Sequence, residues 1–428
     1  MRSVVSSVLG KSVRRLIKIR GGSGSAYPGL LVERVDPGFL ARTLGQLPHG
    51  VVLVSGTNGK TTTTKMVVEL LEGQGLSVFT NRSGSNFTRG VVASLLSEVS
   101  LTGRLRADIA VLELDEAHAV HFVEAVKPRH ALLLNVMRDQ LDRFGEIDYT
   151  ARLLASVAGQ VTESLTLNRE DSRIRAIAEQ AGQGVRVGYF GLDPALLPAF
   201  PSDEALHGRD TDQAGKVQLP ALVELAAFDA AGATFRMGEQ EHTTALQLSG
   251  AYNIFNAAAA MATVLQVLGD RVDVPALLRT ASQITPAFGR GEKITVDGTI
   301  VELVLVKNPA GFRLALSSFP PDGVDTMIAI NDQYADGRDM SWLWDVDFTS
   351  LRPRGVEIVS GQRSYDMVLR LDYDEVPVGA IDTDLTRALD TLLARDPGTP
   401  KRIFTTYTAM LALRRHLGSK TTVKGIDE

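Results

Sequence analysis

The sequence has 428 residues, 44% of them hydrophobic, with 45 basic and 50 acidic residues that give a formal net charge of −5. This length suffices for two to three globular domains, and the slightly acidic balance argues against nucleic acid as a partner. The absence of cysteine excludes disulfides, thiolate metal sites and a cysteine nucleophile within this chain. We see no apolar run of the roughly 18–20 residues that would span a bilayer.

The first 20 residues are basic and amphipathic. They contain six lysines or arginines and no acidic residue, and their apolar residues recur at helical spacing. A helix that packs on the protein body and a helix that lies on an anionic membrane surface both fit this pattern. A Gly/Ser/Pro-rich break follows at 20–29, so we assign residues 1–40 to an N-terminal basic helix and linker.

Strand-like and helix-like segments alternate over residues 41–293. Short apolar runs such as HGVVLVSG, ADIAVLELD and HALLLNV are separated by helical stretches, which predicts a parallel sheet with helices on its faces. The pattern weakens at about 191–231, where Pro, Asp and Gly are frequent, and we expect an irregular insertion there. The segment SGAYNIFNAAAAMATVLQVLGD then predicts a long helix that ends at a glycine.

A second α/β series begins after the segment TPAFGRGEKI. Its apolar runs include TIVELVLVKN, TMIAINDQ and GVEIVSG, again with helical segments between them. We therefore place a domain boundary near Lys293 and assign residues 294–428 to a C-terminal α/β domain.

The segment VVLVSGTNGKTTTT predicts a nucleotide-binding loop. It places a glycine-rich turn between a buried strand and a helix, the setting in which backbone N–H groups and the helix dipole face phosphate. Lys60 would face the phosphate oxygens, and the Thr61 hydroxyl would bind Mg²⁺. The predicted nucleotide-binding residues of this loop are Gly56, Thr57, Asn58, Gly59, Lys60, Thr61 and Thr62.

Acidic residues at the end of another strand would complete the magnesium site. The segment AVLELDEAH supplies Glu113, Asp115 and Glu116, and carboxylate oxygen is a ligand that Mg²⁺ prefers. We choose Glu113 as the ligand, with a solvated strand end as the alternative. His118 and His121 are three residues apart, which makes them a possible ligand pair for a metal cluster beside these acids, but loop or surface histidines are commoner.

Five motifs, taken in order, resemble the ATP-dependent Mur ligases of peptidoglycan synthesis: GTNGKTTT, LELDE, LNVMRDQLDRFGEID, AYNIFNAAAA and FGRGEK. The resemblance implies a Mur-ligase-like α/β fold, with a phosphate-loop central domain built on a parallel sheet and a Rossmann-like C-terminal domain. It also implies the reaction, in which ATP phosphorylates a substrate carboxylate and an amine attacks the acyl-phosphate. ATP and Mg²⁺ are therefore the implied cofactors.

Two later motifs narrow the resemblance. VKNPAGF (306–312) and NDQYADGRDMSWLWDVDF (331–348) resemble the MurT branch of the family, the ligase subunits of lipid II isoglutaminyl synthases. In that branch a GatD-type glutaminase supplies ammonia, and the α-carboxyl of D-glutamate in the lipid II stem peptide becomes an amide. The resemblance implies a heterodimer with such a glutaminase and lipid II as the substrate.

The resemblance also implies roles for residues matched by position. Lys60, Glu113 and Asp339 form the implied catalytic set, in which Asp339 of ADGRD completes the triad of the glutaminase. The alternative for Asp339 is a simple turn, because Asp-Gly-Arg-Asp favours turns. Asp336 and Asp345 are further acids of the same motif.

Three more residues are implied to bind the nucleotide. Asn253 and Asn256 would lie near adenine, although asparagine also caps helices. Arg290 of FGRG would lie near the phosphates or the ribose.

The sequence departs from the family pattern at two places. Gln140 stands where amino-acid-adding Mur ligases usually have a histidine that helps to bind a second Mg²⁺, a change that MurT-type sequences share. Many MurT proteins also hold a cysteine-rich zinc ribbon, which a chain without cysteine cannot form. The irregular insertion at about 191–231 would take its place.

Two other functions stay open on the sequence alone. One is a stand-alone Mur-type or folylpolyglutamate-like ligase, against which Gln140 and the KNPAG and ADGRD motifs argue. The other is a nucleotide-binding scaffold without chemistry, against which the complete set of Lys60, Thr61, Glu113 and Arg290 argues. We expect a cytoplasmic location with peripheral contact at the inner face of the cell membrane.

Overall fold

The computed structural model describes residues 27–81, 87–100, 102–137, 147–200, 219–229, 231–248, 250–285 and 290–423. The predicted N-terminal basic helix and Gln140 lie outside these residues. Most of the segment LNVMRDQLDRFGEID also lies outside them.

Two sheets organise the described residues. The first sheet contains β1 (Val51–Ser55), β2 (Val78–Thr80), β3 (Ile109–Glu113), β4 (His130–Leu133), β5 (Ser164–Asn168), β6 (Arg186–Leu192), β7 (Val223–Phe228), β8 (Gly232–Met237) and β9 (Gln240–Ala245). The second sheet contains β10 (Arg290–Val296), β11 (Thr299–Leu305), β12 (Asp325–Ala329), β13 (Val356–Ser360), β14 (Val378–Asp382) and β15 (Lys401–Thr405). We refer to the parts of the chain that carry them as the first half and the second half.

Helices alternate with these strands. Those of the first half are α1 (Tyr27–Val35), α2 (Phe39–Leu44), α3 (Lys60–Gly73), α4 (Thr88–Glu98), α5 (Glu116–Ala125), α6 (Ile147–Ala158), α7 (Ser172–Ala176), α8 (Ala251–Leu268) and α9 (Val274–Ala281). Those of the second half are α10 (Pro309–Ser318), α11 (Ser364–Tyr373), α12 (Leu385–Ala394) and α13 (Tyr407–Gly418). The 3₁₀ turns include Pro194–Ala199 and Ser341–Asp345.

The first sheet is parallel from β2 to β7 and ends in an antiparallel meander. Its strand order is β2-β3-β1-β4-β5-β6-β7-β8-β9. Side chains of β1 alternate between two apolar cores, with Leu53 packed on one face and Val54 on the other. Because helices cover both faces, the strand residues are apolar throughout rather than alternately polar.

The second sheet has the order β10-β11-β15-β12-β13-β14. Only the β10–β11 hairpin is antiparallel, and the remaining pairs are parallel. Helices α10 and α11 contribute to the core on one face, and α12 and α13 to the core on the other. The α/β prediction for both halves is therefore confirmed.

The structure differs from the sequence reading between β6 and α8. The stretch predicted as irregular, 191–231, contains the end of β6 and the whole of β7, and the hairpin of β8 and β9 that follows was not anticipated. Several β7–β9 residues are polar or lie on an edge, which weakens the apolar pattern that predicts strands. The predicted boundary at Lys293 lies inside β10, whose first residue already pairs with β11.

One helical segment reaches the length and apolar character of a membrane span, which the sequence analysis did not expect of any segment. Among the described residues, Ala251–Arg271 is long and apolar enough to cross a membrane by length and composition. However, most of it is buried inside the protein, and α8 packs against α3 and the first sheet. The segment is a core helix, for which an apolar surface all round is expected.

The topology brings three loops to one edge of the first sheet. Strand β1 lies between β3 and β4 and is parallel to both, so the carboxyl ends of the three strands lie side by side. The chain leaves β1 for β2 and β3 on one side and then crosses to β4 on the other. Ligands of open α/β sheets bind at such a switch point.

Candidate active site

The loop between β1 and α3 depends on two glycines. Gly56 has φ +132° and Gly59 has φ +86°, backbone conformations that other residues rarely adopt. A Cβ at Gly56 would lie 3.0 Å from the backbone of Asn135, and one at Gly59 would lie 2.9 Å from the amide nitrogen of Asn256. The loop is therefore packed closely between the end of β4 and the first turns of α8.

Lys60 is a buried cation at the start of α3. Its Nζ donates to the carbonyl of Gly56 at 2.6 Å and lies 3.3 Å from a carboxylate oxygen of Asp115 and 3.7 Å from one of Glu116. Burial strengthens these interactions because few waters screen them. The Lys60 side chain folds back onto its own loop, so its ammonium group would lie beside a phosphate bound there.

Thr61 and Glu113, the two predicted magnesium ligands, are in direct contact. The Thr61 hydroxyl donates to Glu113 Oε1 at 2.9 Å, and Glu113 is only 9% exposed. Asn81, at the end of β2, fixes the Glu113 backbone by accepting from its N–H at 2.9 Å and donating to its carbonyl at 2.8 Å. Thr62 is buried one residue further along α3.

Asn135 holds the loop from the β4 side. Its backbone carbonyl accepts from the N–H of Thr57 at 3.0 Å, and its side-chain oxygen accepts from the N–H of Asn58 at 2.8 Å. Its amide nitrogen donates to the Asn58 carbonyl at 3.0 Å. These two loop N–H groups are thus directed at Asn135, so a phosphate at this loop would be bound by the N–H groups at the start of α3. Sequence reasoning missed Asn135, although it directly follows the strand run HALLL.

The second half reaches the same loop through Asn308. The Asn308 side chain is fully buried and caps α10 by accepting from the N–H of Gly311 at 2.7 Å. Its Nδ2 donates to Asn58 Oδ1 at 3.0 Å. Asn308 belongs to the VKNPAGF motif, but nothing in its sequence spacing indicates a contact with the loop 250 residues earlier.

The remaining nucleotide candidates are placed less directly. Asn256 lies against Gly59, and Asn253, one turn before it in α8, is half-buried. Burial raises the pKa of the neighbouring Tyr252 phenol, so that side chain stays neutral. Arg290 begins β10, and its side chain lies outside the described part of the structure. The predicted contacts of these residues with adenine, ribose or phosphate stay predictions.

The acidic motif of the second half contains one buried and one exposed aspartate. Asp336 accepts from the N–H of Thr408 at 2.7 Å and from that of Gln333 at 3.0 Å, which ties its turn to the start of α13. Asp339 is exposed, and its Oδ1 accepts from the N–H of Ser341 at 2.9 Å. Asp345 is half-buried in the 3₁₀ turn that follows.

The two candidate histidines do not belong to a metal-binding cluster among the described residues. His121 is 72% exposed and lies 3.8 Å from Glu124, and the His118 ring lies 5.9 Å from that of Phe87. No group of three or more His, Cys, Asp or Glu side chains among the described residues is arranged to hold a metal ion.

The site as a whole is built for phosphate. A buried cation, the N-terminal end of a 14-residue helix and a hydroxyl–carboxylate pair converge at the ends of neighbouring strands. The charged groups are fixed by contacts within the chain, so the binding of an anion beside Lys60 needs little reorganisation.

Comparison of the chain with known proteins identifies its family. Residues 54–264 match the Mur ligase middle domain, and residues 305–410 match the MurT ligase C-terminal domain. A Streptococcus pneumoniae protein named lipid II isoglutaminyl synthase (glutamine-hydrolyzing) subunit MurT is 29% identical over 99% of both chains. The chain belongs to the MurT branch of the Mur ligase family. The resemblance found in its motifs is thereby confirmed.

Two further likenesses agree with this membership. A Staphylococcus aureus protein of the same name is 28% identical over 91% of this chain and 92% of its own. The crystal structure of the MurF ligase from Thermotoga maritima in complex with ADP superposes with a TM-score of 0.68 at 17% identity, covering 92% of this chain and 85% of that one. The structural likeness confirms the Mur ligase fold of both halves.

Proposed function

We propose that this MurT-family chain is the ATP-dependent ligase subunit of an amidotransferase that converts the α-carboxyl of D-glutamate in the lipid II stem peptide to an amide. The observation that carries the proposal is the Lys60, Thr61 and Glu113 constellation in a chain whose full-length relatives bear that enzyme's name. The amide would form through an acyl-phosphate.

The residues present fit ATP and Mg²⁺. A triphosphate suits the glycine loop, where Lys60 is already buried beside it, and the Thr61–Glu113 pair offers two hard oxygen ligands at 2.9 Å from each other. Because no larger carboxylate cluster stands in the described residues, Mg²⁺ at this pair would keep waters and phosphate oxygens as its other ligands. When bound, ATP supplies the γ-phosphoryl group.

The side chains of the chain then have electrostatic and positioning roles. Lys60 and the first-turn N–H groups of α3 stabilise the negative charge on the transferring phosphoryl group. Glu113, fixed by Asn81, orients the Thr61 hydroxyl. No covalent intermediate on the protein is needed, because the substrate carboxylate is itself the nucleophile.

Ammonia would come from a GatD-type glutaminase partner, because this chain has no cysteine to release it from glutamine. Asp339 is exposed, as a carboxylate that orients a histidine of another chain must be. In the turn after Asp339, Trp344 is 48% exposed and stacks edge-on against the exposed ring of Tyr373 at 5.7 Å.

An exposed apolar stripe continues from this turn. Tyr365, Leu369 and Tyr373 are four residues apart on α11, so they share one face, and they are 68%, 58% and 76% exposed. Under Trp344 and Tyr373, the Arg370 guanidinium lies 5.5 and 5.9 Å from the ring centroids and holds the aromatic pair in place. Exposed aromatic side chains on a rigid element are typical of protein interfaces. We define Trp344, Tyr365, Leu369 and Tyr373 as the aromatic stripe.

We also propose a cytoplasmic location at the inner face of the membrane. ATP and glutamine are cytoplasmic, and a lipid-linked substrate stays at the membrane. The basic N-terminal segment, with six cations in 20 residues, suits an anionic membrane surface.

The decisive experiment is the product mass after incubation with lipid II, ATP and Mg²⁺. Amidation exchanges a hydroxyl for an amine and lowers the mass by about one unit, by simple stoichiometry. Ammonium chloride alone should support this product, and glutamine should do so only when the glutaminase partner is added. An amino-acid adduct without any amide would instead identify a stand-alone ligase, and ATP binding without turnover would identify a scaffold.

A further inference from the structure

One loop residue of the first half is joined directly to the second half. Asn58 and Asn308 face each other with both amides: Asn308 Nδ2 donates to Asn58 Oδ1 at 3.0 Å, and Asn58 Nδ2 lies 3.4 Å from Asn308 Oδ1. The pair therefore links the phosphate loop to the segment between β11 and α10.

Both partners are held on their far sides. Asn58 exchanges two hydrogen bonds with the Asn135 side chain through its own backbone, at 2.8 and 3.0 Å, so its peptide is fixed. Its side-chain Nδ2 also lies 3.4 Å from the sulfur of Met137. The oxygen of Asn308 also caps α10 through Gly311. We call Asn135, Asn58 and Asn308 the asparagine relay, because it runs without a break from the end of β4 to the start of α10.

Helix α10 also touches the first half at its other end. A Cβ on Gly250, at the start of α8, would lie 3.4 Å from the Cβ of Ser318 and 3.5 Å from the ring of Phe319. The Phe319 ring is itself covered by the guanidinium of Arg402 at 5.2 Å. The contact at Gly250 is apolar and distant in sequence from the loop, whereas the Asn58–Asn308 pair lies on the loop. Of the two contacts between α10 and the first half, the Asn58–Asn308 pair is therefore the one that lies beside the nucleotide site.

We propose that Asn308 is a positioning residue that docks α10 on the phosphate loop through Asn58 and holds the two halves closed while the acyl-phosphate exists. This inference rests on the proposed function. Ammonia attacks the acyl carbon, a C–N bond forms, the C–O bond to phosphate breaks, and phosphate leaves as a proton is lost from nitrogen. If water attacks instead, the carboxylate is regenerated and ATP is wasted.

An amide pair suits this task for two reasons. Each amide both donates and accepts, so the pair needs no net charge that would attract or repel the phosphates beside it. A neutral hydrogen-bonded pair contributes only modestly to a closed state, so the halves can still open for substrate exchange.

The test separates docking from helix capping. Asn58→Ala removes one partner and leaves the cap of α10 intact. Asn308→Ser keeps a side-chain oxygen that can cap α10 but is too short to reach Asn58. The control is Asp384→Ser, which changes the residue that caps α12 in the same half and away from the loop. The measured quantity is ATP consumed per amide formed, with lipid II, saturating Mg·ATP and ammonium chloride.

The wild-type chain and Asp384→Ser should share one low ratio of ATP to amide. Both asparagine variants should raise it roughly fivefold, as expected for the loss of one neutral hydrogen-bonded pair. The double variant should be no worse than either single variant, because both remove the same contact. Unchanged ratios in both single variants would overturn the proposal, and so would single effects that multiply in the double variant.

A second measurement does not need the reaction. Hydrogen exchange of residues 308–318 should be faster in Asn58→Ala than in the wild-type chain, both alone and with Mg²⁺ and a non-hydrolysable ATP analogue. Equal exchange would contradict the docking. If the wild-type chain makes no amide even with ammonium, the proposed function fails, while the exchange data still decide whether the asparagine relay joins the halves.

Discussion

The phosphate loop and the ADGRD turn both place charged side chains on glycine-containing turns, but they treat those charges in opposite ways. Lys60 at the end of the loop and Glu113 at the end of the adjacent strand β3 are buried, whereas Asp339, which accepts from the N–H of Ser341, is exposed. Burial strengthens a charge that acts on a small ligand held inside the site. A carboxylate that acts on a residue of another protein must instead remain accessible.

The same contrast exists within the ADGRD turn. Asp336 and Asp339 are three residues apart, and Gly337 between them has φ +83°. Asp336 is 1% exposed, and its carboxylate accepts hydrogen bonds from the N–H groups of Thr408 and Gln333. The buried aspartate ties the turn to the start of α13, and the exposed one lies at the protein surface. Identical residue types in one motif therefore have different environments.

The largest expected effect concerns Asp339. Asp339→Asn should lower glutamine-dependent amidation by about 10³–10⁴-fold, because an amide cannot stabilise the imidazolium of the partner. Amidation with ammonium chloride should persist, since the residues proposed to bind ATP and Mg²⁺ are unchanged. Product mass measured with each nitrogen source checks this, and Asp347→Asn, on the next exposed turn, is the control. Equal losses on both routes would remove the contrast between loop and turn.

Lys60→Met tests the buried side of the comparison. It should lower amidation about 10²–10³-fold with either nitrogen source, because a preorganised cation at the phosphoryl group is lost. Lys65→Met, on the same helix but only partly buried and paired with Glu69, should leave the rate near that of the wild-type chain. Since Lys60→Met also leaves Asp115 and Glu116 without their cation, denaturant unfolding should accompany the kinetics. A loss confined to the glutamine route would contradict the assigned role.

His130 extends the comparison of buried and exposed groups from catalysis to stability. It is a buried titratable residue of β4, in the sheet that carries the phosphate loop. Burial, followed by the nearby cations Arg186 and Arg129, lowers its pKa from 6.5 to about 4, while half-exposed Glu163 at 3.7 Å is too solvated to offset this. Between these values the unfolded chain binds the proton more tightly. The free energy of unfolding should therefore fall as pH drops from 6.5 to 4, by about 3 kcal/mol.

His130→Asn should flatten that decline, because asparagine does not titrate. Its amide can keep a hydrogen bond to Ser164, whose hydroxyl lies 2.7 Å from the His130 ring nitrogen. Denaturant unfolding at several pH values measures the slope. His121→Asn, at an exposed helix position, is the matched control. An unchanged slope in His130→Asn would show that other groups cause the acid sensitivity.

The smallest effect is expected at the aromatic stripe. Leu369→Ser should weaken binding of the glutaminase partner by about tenfold, as for a moderate interface residue. Ammonium-dependent amidation should not change. Val35→Ser, at a similarly exposed apolar position in the first half, should leave partner affinity unaltered. If both variants bind the partner equally well, the stripe has another role.

Much of the fold and part of the site could be predicted because their signals are local. The strands β1, β3 and β4 are short apolar runs, α8 is a long apolar helix, and the glycine loop stands between a strand and a helix. The meander of β7, β8 and β9 was missed because β9 is a polar edge strand and β7 and β8 are only partly buried, so burial does not impose a regular apolar pattern on them.

The sequence by itself determined the residues of the candidate site: a glycine-rich loop before a helix, a hydroxyl and a carboxylate that we propose as magnesium ligands, and a turn that contains an aspartate. Those features are residue types at short spacings, and each needs only its own strand, loop or helix. The tertiary structure decided which groups serve each other. It directed two loop amides to Asn135, paired Asn58 with Asn308 across 250 residues, and separated Asp336 from Asp339 by burial. Such contacts depend on the packing of whole sheets and helices, which no short segment encodes.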